Sequence, residues 1–447
     1  MVGLFGALFV PDALAEATSD GAWLEAMLEV ESALAAVEAR AGVIPSAAAT
    51  AIAHAAQVER FDIDELGRAG RASGNPVVPL VRALREALPQ DAASFVHWGA
   101  TSQDILDTAA MLVTRRALDL IVAEIDAVAS ACAALAGAHR TTVMAGRTLL
   151  QQALPVTFGL KAAGWLVAVD DARARLVSLR ADGLAVQLGG GAGTLASLGA
   201  AGEVVLHELA AELALAEPVV PWHTARGRIA ELGAALAVAA GALGKVALDV
   251  VLLAQTEVSE VSEAAGPGRG GSSTMPHKRN PVAAIRALAC AQRLPTLAGG
   301  LLAAMAHEHE RAAGAWHAEW QPLGDALALT GGAAACVRES LEGLELDRER
   351  MRANLDLTGG APMAERVTLA VAEHADRDAA HAAVAGAIAR AADGTRSLRE
   401  ELLAEPLVRE HLSPAGVDRA LDPETYLGCA DAFIERALRA HAVRGEA

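Results

Sequence analysis

Apolar side chains recur every three or four residues along much of the chain, which is the period of an amphipathic helix. Between residues 20 and 42 the repeating positions are Trp23, Met27, Val30, Leu34 and Val37. The stretch ends at "AGVIP", where glycine and proline favour a stop. The pattern therefore predicts a helix over residues 20–42.

Longer stretches show the same period with few breaks. Helices are predicted at about residues 104–138, 155–182 and 226–263, and a further one, kinked at Pro295, at 282–314. Helices of roughly 25 to 35 residues are unusual in globular domains, and three in succession predict a long helical bundle. Alternating strand patterns are scarce, so the chain is predicted to be all-α (mainly α).

The length of the chain points to more than one domain. Its 447 residues exceed the size at which one hydrophobic core usually keeps growing, so two or three domains are expected. After about residue 352 the helices shorten, and proline, glycine and charged residues become more frequent. We expect an N-terminal helical domain over 1–108, a central long-helix bundle over 109–352 and a small C-terminal helical domain over 353–447.

Composition narrows the choice of core and partners. Hydrophobic residues make up 53% of the chain but aromatic residues only 3%, so the core must consist mainly of alanine, leucine and valine, packed helix against helix. The net charge of −18 argues against binding to nucleic acid or to an anionic membrane. The most apolar stretch, Leu232–Ala254, carries Lys245 and Asp249, which favours a buried helix over a membrane span.

Cysteine usage and the N-terminus indicate a cytoplasmic protein. The four cysteines are far apart and form no Cys-x-x-Cys pair, so neither a disulfide framework nor a zinc site is expected. The first twenty residues contain a short apolar run that no basic region precedes, unlike a signal peptide.

Compact polar loops separate the long helices, at residues 95–104, 145–155, 189–199 and 266–281. The last loop contains "GGSSTMPHKRNP", a density of hydroxyls, cations and amides that a plain linker does not need. Its glycines permit mobility and its prolines restrict the far side, as in a loop that closes over a ligand.

Two other loops offer groups for binding a carboxylate. Thr101 and Ser102 stand at a predicted helix start, where hydroxyls bind anions, although Ser102 could equally cap the helix. His97 is either a substrate contact or a capping or packing histidine. Arg147 is a candidate carboxylate clamp, and Gln151 a candidate polar contact.

Other ligand sites find no support in the sequence. "GGGAGT" in the loop 189–199 lacks the Gly-x-Gly-x-x-Gly spacing and follows no strand, so no dinucleotide site is expected. His307 and His309 are two apart, are expected on different sides of a helix, and belong to no His-Glu-x-x-His pattern. No metal site is predicted.

Three segments together resemble one enzyme superfamily. They are "HWGATSQDILDTA" (97–109), "GRTLLQQALP" (146–155) and "GSSTMPHKRNP" (271–281), here called the first, second and third segments. The third matches the most specific motif of the fumarase/aspartase superfamily, and the other two resemble its remaining active-site segments. The resemblance covers about residues 15–380, with the segments in the order and spacing of that superfamily.

The resemblance implies a fumarase/aspartase-like fold of three helical domains, in a homotetramer with a twenty-helix core and active sites shared among three subunits. It also implies β-elimination or its reverse without a cofactor, through an enolate-like dianion beside a carboxylate. By position, Ser272 matches the base, and Lys278 and Asn280 match the residues that hold the carboxylate and stabilise the dianion. His277 and Arg279 are further candidate substrate contacts in the same segment.

The second segment departs from the pattern of the superfamily. Many members carry Thr-His there, and the histidine protonates the leaving group, whereas this chain has Thr148 and Leu149. An amine or hydroxide that leaves without this acid loses roughly 10²–10⁴-fold in rate, but a carboxylate leaves readily as an anion. Leu149 therefore predicts a reaction that makes or breaks a bond between carbon and a carboxylate oxygen, such as lactone formation. The resemblance implies that the substrate is a small tricarboxylate. Thr148 is a further candidate substrate contact.

Two alternatives remain open. Another lyase of the superfamily, such as an adenylosuccinate lyase, is disfavoured by Leu149 and by Trp320, which stands where those lyases tend to carry an arginine. A catalytically silent structural protein is disfavoured by the intact set of Ser272, Lys278 and Asn280.

Glu310 corresponds to the glutamate that, elsewhere in the superfamily, orients the missing histidine. Without that partner, Glu310 is expected to pair with Arg311 or Arg147, or to help place a cation for the substrate.

Overall fold

The computed structural model describes residues 4–264, 270–271, 275 and 277–445. Within these residues the protein is mainly helical. Helices α1 to α6 are Asp12–Ala17, Asp20–Arg40, Ser46–Ala55, Ile63–Ser73, Val77–Glu86 and Gln90–Ala93. Helices α7 to α12 are Ser102–Ala138, Phe158–Ser178, Gly202–Leu213, Gly227–Leu253, Val282–Ala303 and Ala315–Glu342. Helices α13 to α19 are Arg348–Leu355, Ala364–Ala372, Arg377–Ala391, Leu398–Ala404, Pro406–His411, Pro414–Leu421 and Ala430–Gly445.

Four short strands complete the described structure. β1 (Val143–Thr148) pairs antiparallel with β2 (Gln151–Thr157), and β3 (Val261–Glu263) pairs antiparallel with β4 (Leu344–Leu346). The mainly α prediction is confirmed, and α2 and α7 fall within two residues of the predicted helices.

Three predictions differ from the structure: two helices end earlier than predicted, and one predicted loop is a hairpin. The helix predicted over 226–263 ends at Leu253. The chain then turns, with a positive φ of 53° at Ser259, and enters β3 at Val261. The helix predicted over 282–314 ends at Ala303, although it does contain Pro295. The loop predicted over 145–155 is a β-hairpin.

The helices pack closely through small side chains, as the low aromatic content predicts. A Cβ added to Gly233 of α10 would lie 2.6 Å from Leu301 of α11, and one on Gly331 of α12 would lie 2.2 Å from Leu14 of α1. Even a methyl group at these glycines would force the helices apart, so close packing here depends on the absence of a side chain.

The chain divides into two compact units. Unit 1 comprises residues 1–127, 171–244 and 286–338, and unit 2 comprises 128–170, 245–285 and 339–447. Five helices (α7, α8, α10, α11 and α12) contribute residues to both units. Unit 2 contains a separate apolar core formed by α14 to α18, whose fully buried members include Val367, Leu402, Val408 and Val417.

Two helices, α7 and α10, are long and apolar enough to cross a membrane by length and composition. Core helices of soluble proteins meet the same criterion. In α10, Lys245 and Asp249 form an ion pair, and Asp249 accepts a hydrogen bond from Trp165 Nε1 at 2.7 Å. These polar contacts are those of a helix packed against protein.

Candidate active site

The first segment begins in a strained turn before α7. His97 has a φ of 61°, a conformation that costs a non-glycine residue about 1–2 kcal/mol. Arg85 of α5 donates a hydrogen bond to the carbonyl oxygen of Val96 at 3.0 Å. Gly99 also has a positive φ, and a Cβ there would lie 2.6 Å from Leu198. Contacts with Arg85 and Leu198 therefore hold the backbone of this turn in its strained conformation.

A buried carboxylate holds the His97 ring. Glu31 Oε1 lies 2.6 Å from His97 Nδ1, and the two side chains are 1% and 15% exposed. Burial lowers the pKa of the imidazole, but the charge and hydrogen bond of Glu31 outweigh burial and leave the pKa raised. The charge of Asp104 adds to this effect and that of Arg85 opposes it. His97 is thus held toward the imidazolium form, which binds anions.

Asp104 connects the first segment to the glycine loop (189–199). Its carboxylate accepts hydrogen bonds from the backbone amides of Thr101, Gly189 and Gly190 at 2.9–3.0 Å. It also lies 2.6 Å from His223 Nε2. Because the carboxylate is buried and bonded to several donors, it fixes the backbone of the segment and is not available to a substrate.

Thr101 and Ser102 lie at the start of α7, as predicted. The helix begins at Ser102, so Thr101 occupies the position that precedes the first helical residue. Both residues are half-buried. A hydroxyl pair at a helix N-terminus is a suitable place for a carboxylate, because the helix dipole favours negative charge there.

A buried ion network lies one turn further along α7. Arg226 donates to both oxygens of Asp107, at 2.7 and 3.1 Å, and also to Glu319, and all three side chains are at most 4% exposed. Trp316 Nε1 donates to Asp107 at 3.0 Å. Burial by itself lowers the pKa of Arg226, but the two carboxylates reverse this and raise it. The network joins α7 to α12 beneath the first segment.

The second segment forms the β1–β2 hairpin. Thr148 pairs with Gln151, and Leu149 and Leu150 make the two-residue turn. Their φ values are 53° and 64°, as a type I′ turn requires, although Asn-Gly is the usual choice at such positions. The two leucines are 97% and 76% exposed. The hairpin tip, defined here as Leu149 and Leu150, therefore combines backbone strain with apolar exposure.

Arg147 is already engaged at the base of the hairpin. Its guanidinium binds the carboxylate of Glu260 at 2.6 and 2.9 Å, and Asn354 of α13 donates to the same carboxylate at 2.7 Å. The Glu260 side chain is fully buried. Because Glu260 neutralises Arg147, the guanidinium offers no unpaired charge to a substrate carboxylate in this arrangement. It anchors the hairpin instead.

A cleft of about 530 Å³ borders the hairpin within unit 2. Thr148 and Arg147 line it together with Lys161, Lys245 and Trp165. Burial lowers the pKa of Lys161, and the charge of Asp249, which raises it, offsets this only in part. Sequence reasoning missed Lys161, because a lone lysine in an alanine-rich helix carries no motif.

The third segment is described at residues 271, 275 and 277–281, and Ser272 lies outside the described residues. Asn280 donates to the carbonyl oxygen of Gly270 from its backbone at 2.9 Å and from its side chain at 3.1 Å. His277, Lys278 and Arg279 are exposed. Asn280 therefore links residues 270 and 280, and Lys278 and Arg279 place two positive charges at the surface.

The segment that contains His307 and His309 is not helical, contrary to the prediction. It lies between α11 and α12, and His309 has a φ of 46°. The side chain of His307 is buried, with Nε2 3.4 Å from Glu319. No cluster of three histidine, cysteine or carboxylate side chains suited to a metal occurs among the described residues.

The partners expected for Glu310 are bonded elsewhere. Arg311 donates to Gln103 at 2.8 Å and to the carbonyl oxygens of Gly190 and Gly191 at 3.2 and 2.9 Å. Arg147 pairs with Glu260, as described above. Arg311 is therefore a second clamp on the glycine loop, and Glu310 is exposed.

Comparison with known proteins assigns the family. A family model described as "Lyase" matches residues 10–293, and one described as "Adenylosuccinate lyase C-terminus" matches residues 360–437. The chain belongs to the fumarase/aspartase superfamily. The resemblance of the three segments is thereby confirmed.

Individual members of the superfamily are similar over nearly the whole chain. A 3-carboxy-cis,cis-muconate cycloisomerase from Bradyrhizobium diazoefficiens is 49% identical over 95% of each chain. A nitrosuccinate lyase from Streptomyces davaonensis is also 49% identical, over 94% of this chain and 91% of its own. The crystal structure of the 3-carboxy-cis,cis-muconate lactonizing enzyme from Pseudomonas putida superposes with a TM-score of 0.93, at 43% identity and 99% coverage of both chains.

The structure places the candidate residues of this superfamily member in two groups. His97, Thr101 and Ser102 lie in unit 1, around the start of α7. Those of the second and third segments lie in unit 2: Arg147, Thr148, Gln151, His277, Lys278, Arg279 and Asn280. Sequence reasoning missed Glu31, the partner of His97, since the two residues are 66 positions apart.

Proposed function

We propose that this protein is a 3-carboxy-cis,cis-muconate cycloisomerase, which converts 3-carboxy-cis,cis-muconate to 4-carboxymuconolactone in protocatechuate (β-ketoadipate) catabolism. The observation that carries this proposal is Leu149. It occupies the place of the general acid of many superfamily members, and its own side chain cannot protonate a leaving group. A carboxylate is a leaving group that needs no proton, and in the reverse direction it is a nucleophile that needs no base.

The lactonising reaction adds one proton to the substrate. A substrate carboxylate oxygen bonds to an alkene carbon, and the π electrons move to the neighbouring carbon, where they delocalise into a second carboxylate. Ser272, or a proton source beside it, then protonates that carbon. Lys278 and Asn280 stabilise the dianion before protonation, which is the electrostatic step where the largest catalytic effects usually arise. The product carries one negative charge fewer than the trianionic substrate.

Local positive charge supports a tricarboxylate substrate in a chain whose net charge is −18. Lys278 and Arg279 are exposed on the third segment, and Glu31 holds His97 toward its cationic form. Thr101 and Ser102 add hydroxyls at a helix N-terminus. Each of these groups can bind a carboxylate, and none of them requires a cofactor.

We further propose a cytoplasmic homotetramer with shared active sites. The hairpin tip supports this assembly, because two adjacent leucines in a strained turn are costly while they face water. A neighbouring subunit that covers the tip would remove the apolar exposure. Size-exclusion chromatography with light scattering tests the assembly, and a monomer at micromolar concentration would contradict it.

Nitrosuccinate lyase activity is a second candidate, favoured by the 49% identical relative of that name. Nitrite, like a carboxylate, departs as a stable anion, so Leu149 is compatible with both reactions. An adenylosuccinate lyase activity is disfavoured by the missing acid. It is also disfavoured by Trp320, which packs against Trp316 at 4.9 Å between ring centroids.

One set of assays separates the three activities. The protein is mixed in turn with 3-carboxy-cis,cis-muconate, nitrosuccinate and adenylosuccinate. The readouts are loss of diene ultraviolet absorbance, nitrite release and fumarate release, respectively. We expect the diene absorbance to fall with a kcat/KM at least 100-fold above that for the other two substrates. Preferential nitrite release would replace the proposal by its second candidate.

A further inference from the structure

Glu31 is a costly residue at its position in α2. Its side chain is 1% exposed, and its Oε2 has no hydrogen-bond partner among the described residues. An ionised carboxylate in such surroundings loses several kcal/mol of hydration, which one ion pair restores only in part. A hydrophobic residue of similar volume would usually be at least as stable there. Stability alone therefore does not account for Glu31.

The contact that Glu31 makes is specific. Its Oε1 lies 2.6 Å from Nδ1 of His97, a residue whose backbone is held in the left-handed region. Strain of this kind persists where surrounding structure imposes it, and it is concentrated at functional sites. Two unfavourable features, a buried charge and a strained backbone, thus meet at one imidazole.

The bond to Glu31 determines what the ring can do. With Nδ1–H donated to the carboxylate, Nε2 is the nitrogen left for another partner, and Nε2 has no hydrogen-bond partner among the described residues. In the imidazolium form Nε2 carries a proton and can donate to an anion. The other charged groups that act on the ring are Asp104, which favours the cation, and Arg85, which opposes it.

We propose that Glu31 is a positioning residue, which fixes the ring of His97 through Nδ1 so that Nε2–H is presented to a substrate carboxylate as a cationic donor. The proposal rests on the proposed function for the role of His97. It adds a residue of α2, 66 positions away from His97, that acts through His97 without touching the substrate.

The test is a Glu31→Gln variant, which keeps the size and an acceptor oxygen but removes the charge. Glu38→Gln is the matched control, because Glu38 lies two turns further along α2, is also 1% exposed and forms no bond with His97. The KM for 3-carboxy-cis,cis-muconate and the dissociation constant of propane-1,2,3-tricarboxylate, from calorimetry, are measured between pH 5.5 and 8.5. Thermal melts check that each variant folds.

In Glu31→Gln we expect the pH at which KM rises to move about one unit toward acid, with kcat nearly unchanged. At pH 8 the KM should be about tenfold higher than in the parent protein, a loss of roughly 1.4 kcal/mol, and at pH 5.5 the two should agree. Glu38→Gln should keep the parental profile. A loss of packing alone would raise KM equally at every pH.

The outcomes distinguish this inference from the proposed function. Turnover by the parent protein with an unshifted KM profile in Glu31→Gln overturns the role of Glu31 alone. Absence of turnover, with tricarboxylate binding whose pH dependence shifts in Glu31→Gln, overturns the substrate and retains the role of Glu31. Absence of both turnover and binding overturns both.

Discussion

The polar groups beneath the first segment, in unit 1, differ in exposure from the hairpin tip and the third segment, in unit 2. Beneath the first segment, Asp104, Asp107, Arg226 and Glu319 are buried and bonded to one another or to the glycine loop. We call these four residues the buried network. In unit 2, the hairpin tip is exposed, and so are Lys278 and Arg279 of the third segment.

This difference separates groups that build the site from groups that act in it. A carboxylate that is satisfied by three or four donors cannot also bind a substrate, so the buried network stabilises a rigid first segment. Exposed cations and an uncovered tip keep their capacity for further contacts. Substitutions in the buried network should therefore affect mainly stability, and substitutions in the third segment should affect mainly activity.

The largest effect is expected in the third segment. Ser272→Ala removes the proposed proton-transfer group and should lower kcat by about 10²–10⁴-fold, with an unchanged melting temperature. The measurement is steady-state turnover by diene absorbance, beside a thermal melt. Ser272→Thr, which keeps a hydroxyl, should retain more activity than the alanine variant. Full activity in Ser272→Ala would remove this serine from the mechanism.

In the buried network we expect a loss of stability. Arg226→Met leaves the carboxylates of Asp107 and Glu319 without their cation and should cost about 3–5 kcal/mol of unfolding free energy. Arg40→Met is the control, since Arg40 pairs with Glu208 and Glu212 on the surface and should cost at most about 1 kcal/mol. Urea denaturation measures both. Equal losses in the two variants would show that burial does not distinguish these ion pairs.

Glu38 gives unit 1 a dependence of stability on pH. Burial, with the charge of Glu31, raises the pKa of Glu38 to about 8. The folded state therefore keeps a proton that the unfolded chain has lost, so stability falls as pH rises from about 4.5 to about 8. Glu38→Gln should remove this decline and be more stable than the parent by a few kcal/mol at pH 8.

Melting temperatures measured from pH 4.5 to 8.5 test this prediction. Glu29→Gln on the same helix is the control, since Glu29 is 37% exposed and bonded to Arg116. Its pH profile should resemble that of the parent protein. A parental profile in Glu38→Gln would mean that this carboxyl is not protonated in the folded state.

The smallest effect on stability is expected at the hairpin tip. The double variant Leu149→Asn/Leu150→Gly supplies the preferred type I′ residues and should stabilise the hairpin by about 1 kcal/mol. Activity should fall if the tip contacts substrate or another subunit. Ala214→Gly relieves a similar positive φ at the end of α9, and should stabilise without loss of activity. Equal activity in both variants would contradict a functional tip.

Much of the fold could be predicted because helices are local structures. The spacing of Trp23 and Met27 and the absence of proline from residues 104–138 determine α2 and α7 from neighbours along the chain. The hairpin is also local, but it was missed because its turn lacks the usual sequence signal. Its turn consists of Leu149 and Leu150, whereas a type I′ turn is usually marked by a pair such as Asn-Gly.

The sequence by itself determined the superfamily, the segments that carry its chemistry and the missing acid at Leu149, since each depends on residue type and order. Tertiary structure alone decided the partners of those residues. Arg147 is neutralised by Glu260, Asp104 is bonded to the glycine loop, and His97 is held by Glu31. These pairings join residues 66 to 113 positions apart, and no local pattern encodes them, because folding alone brings such groups together.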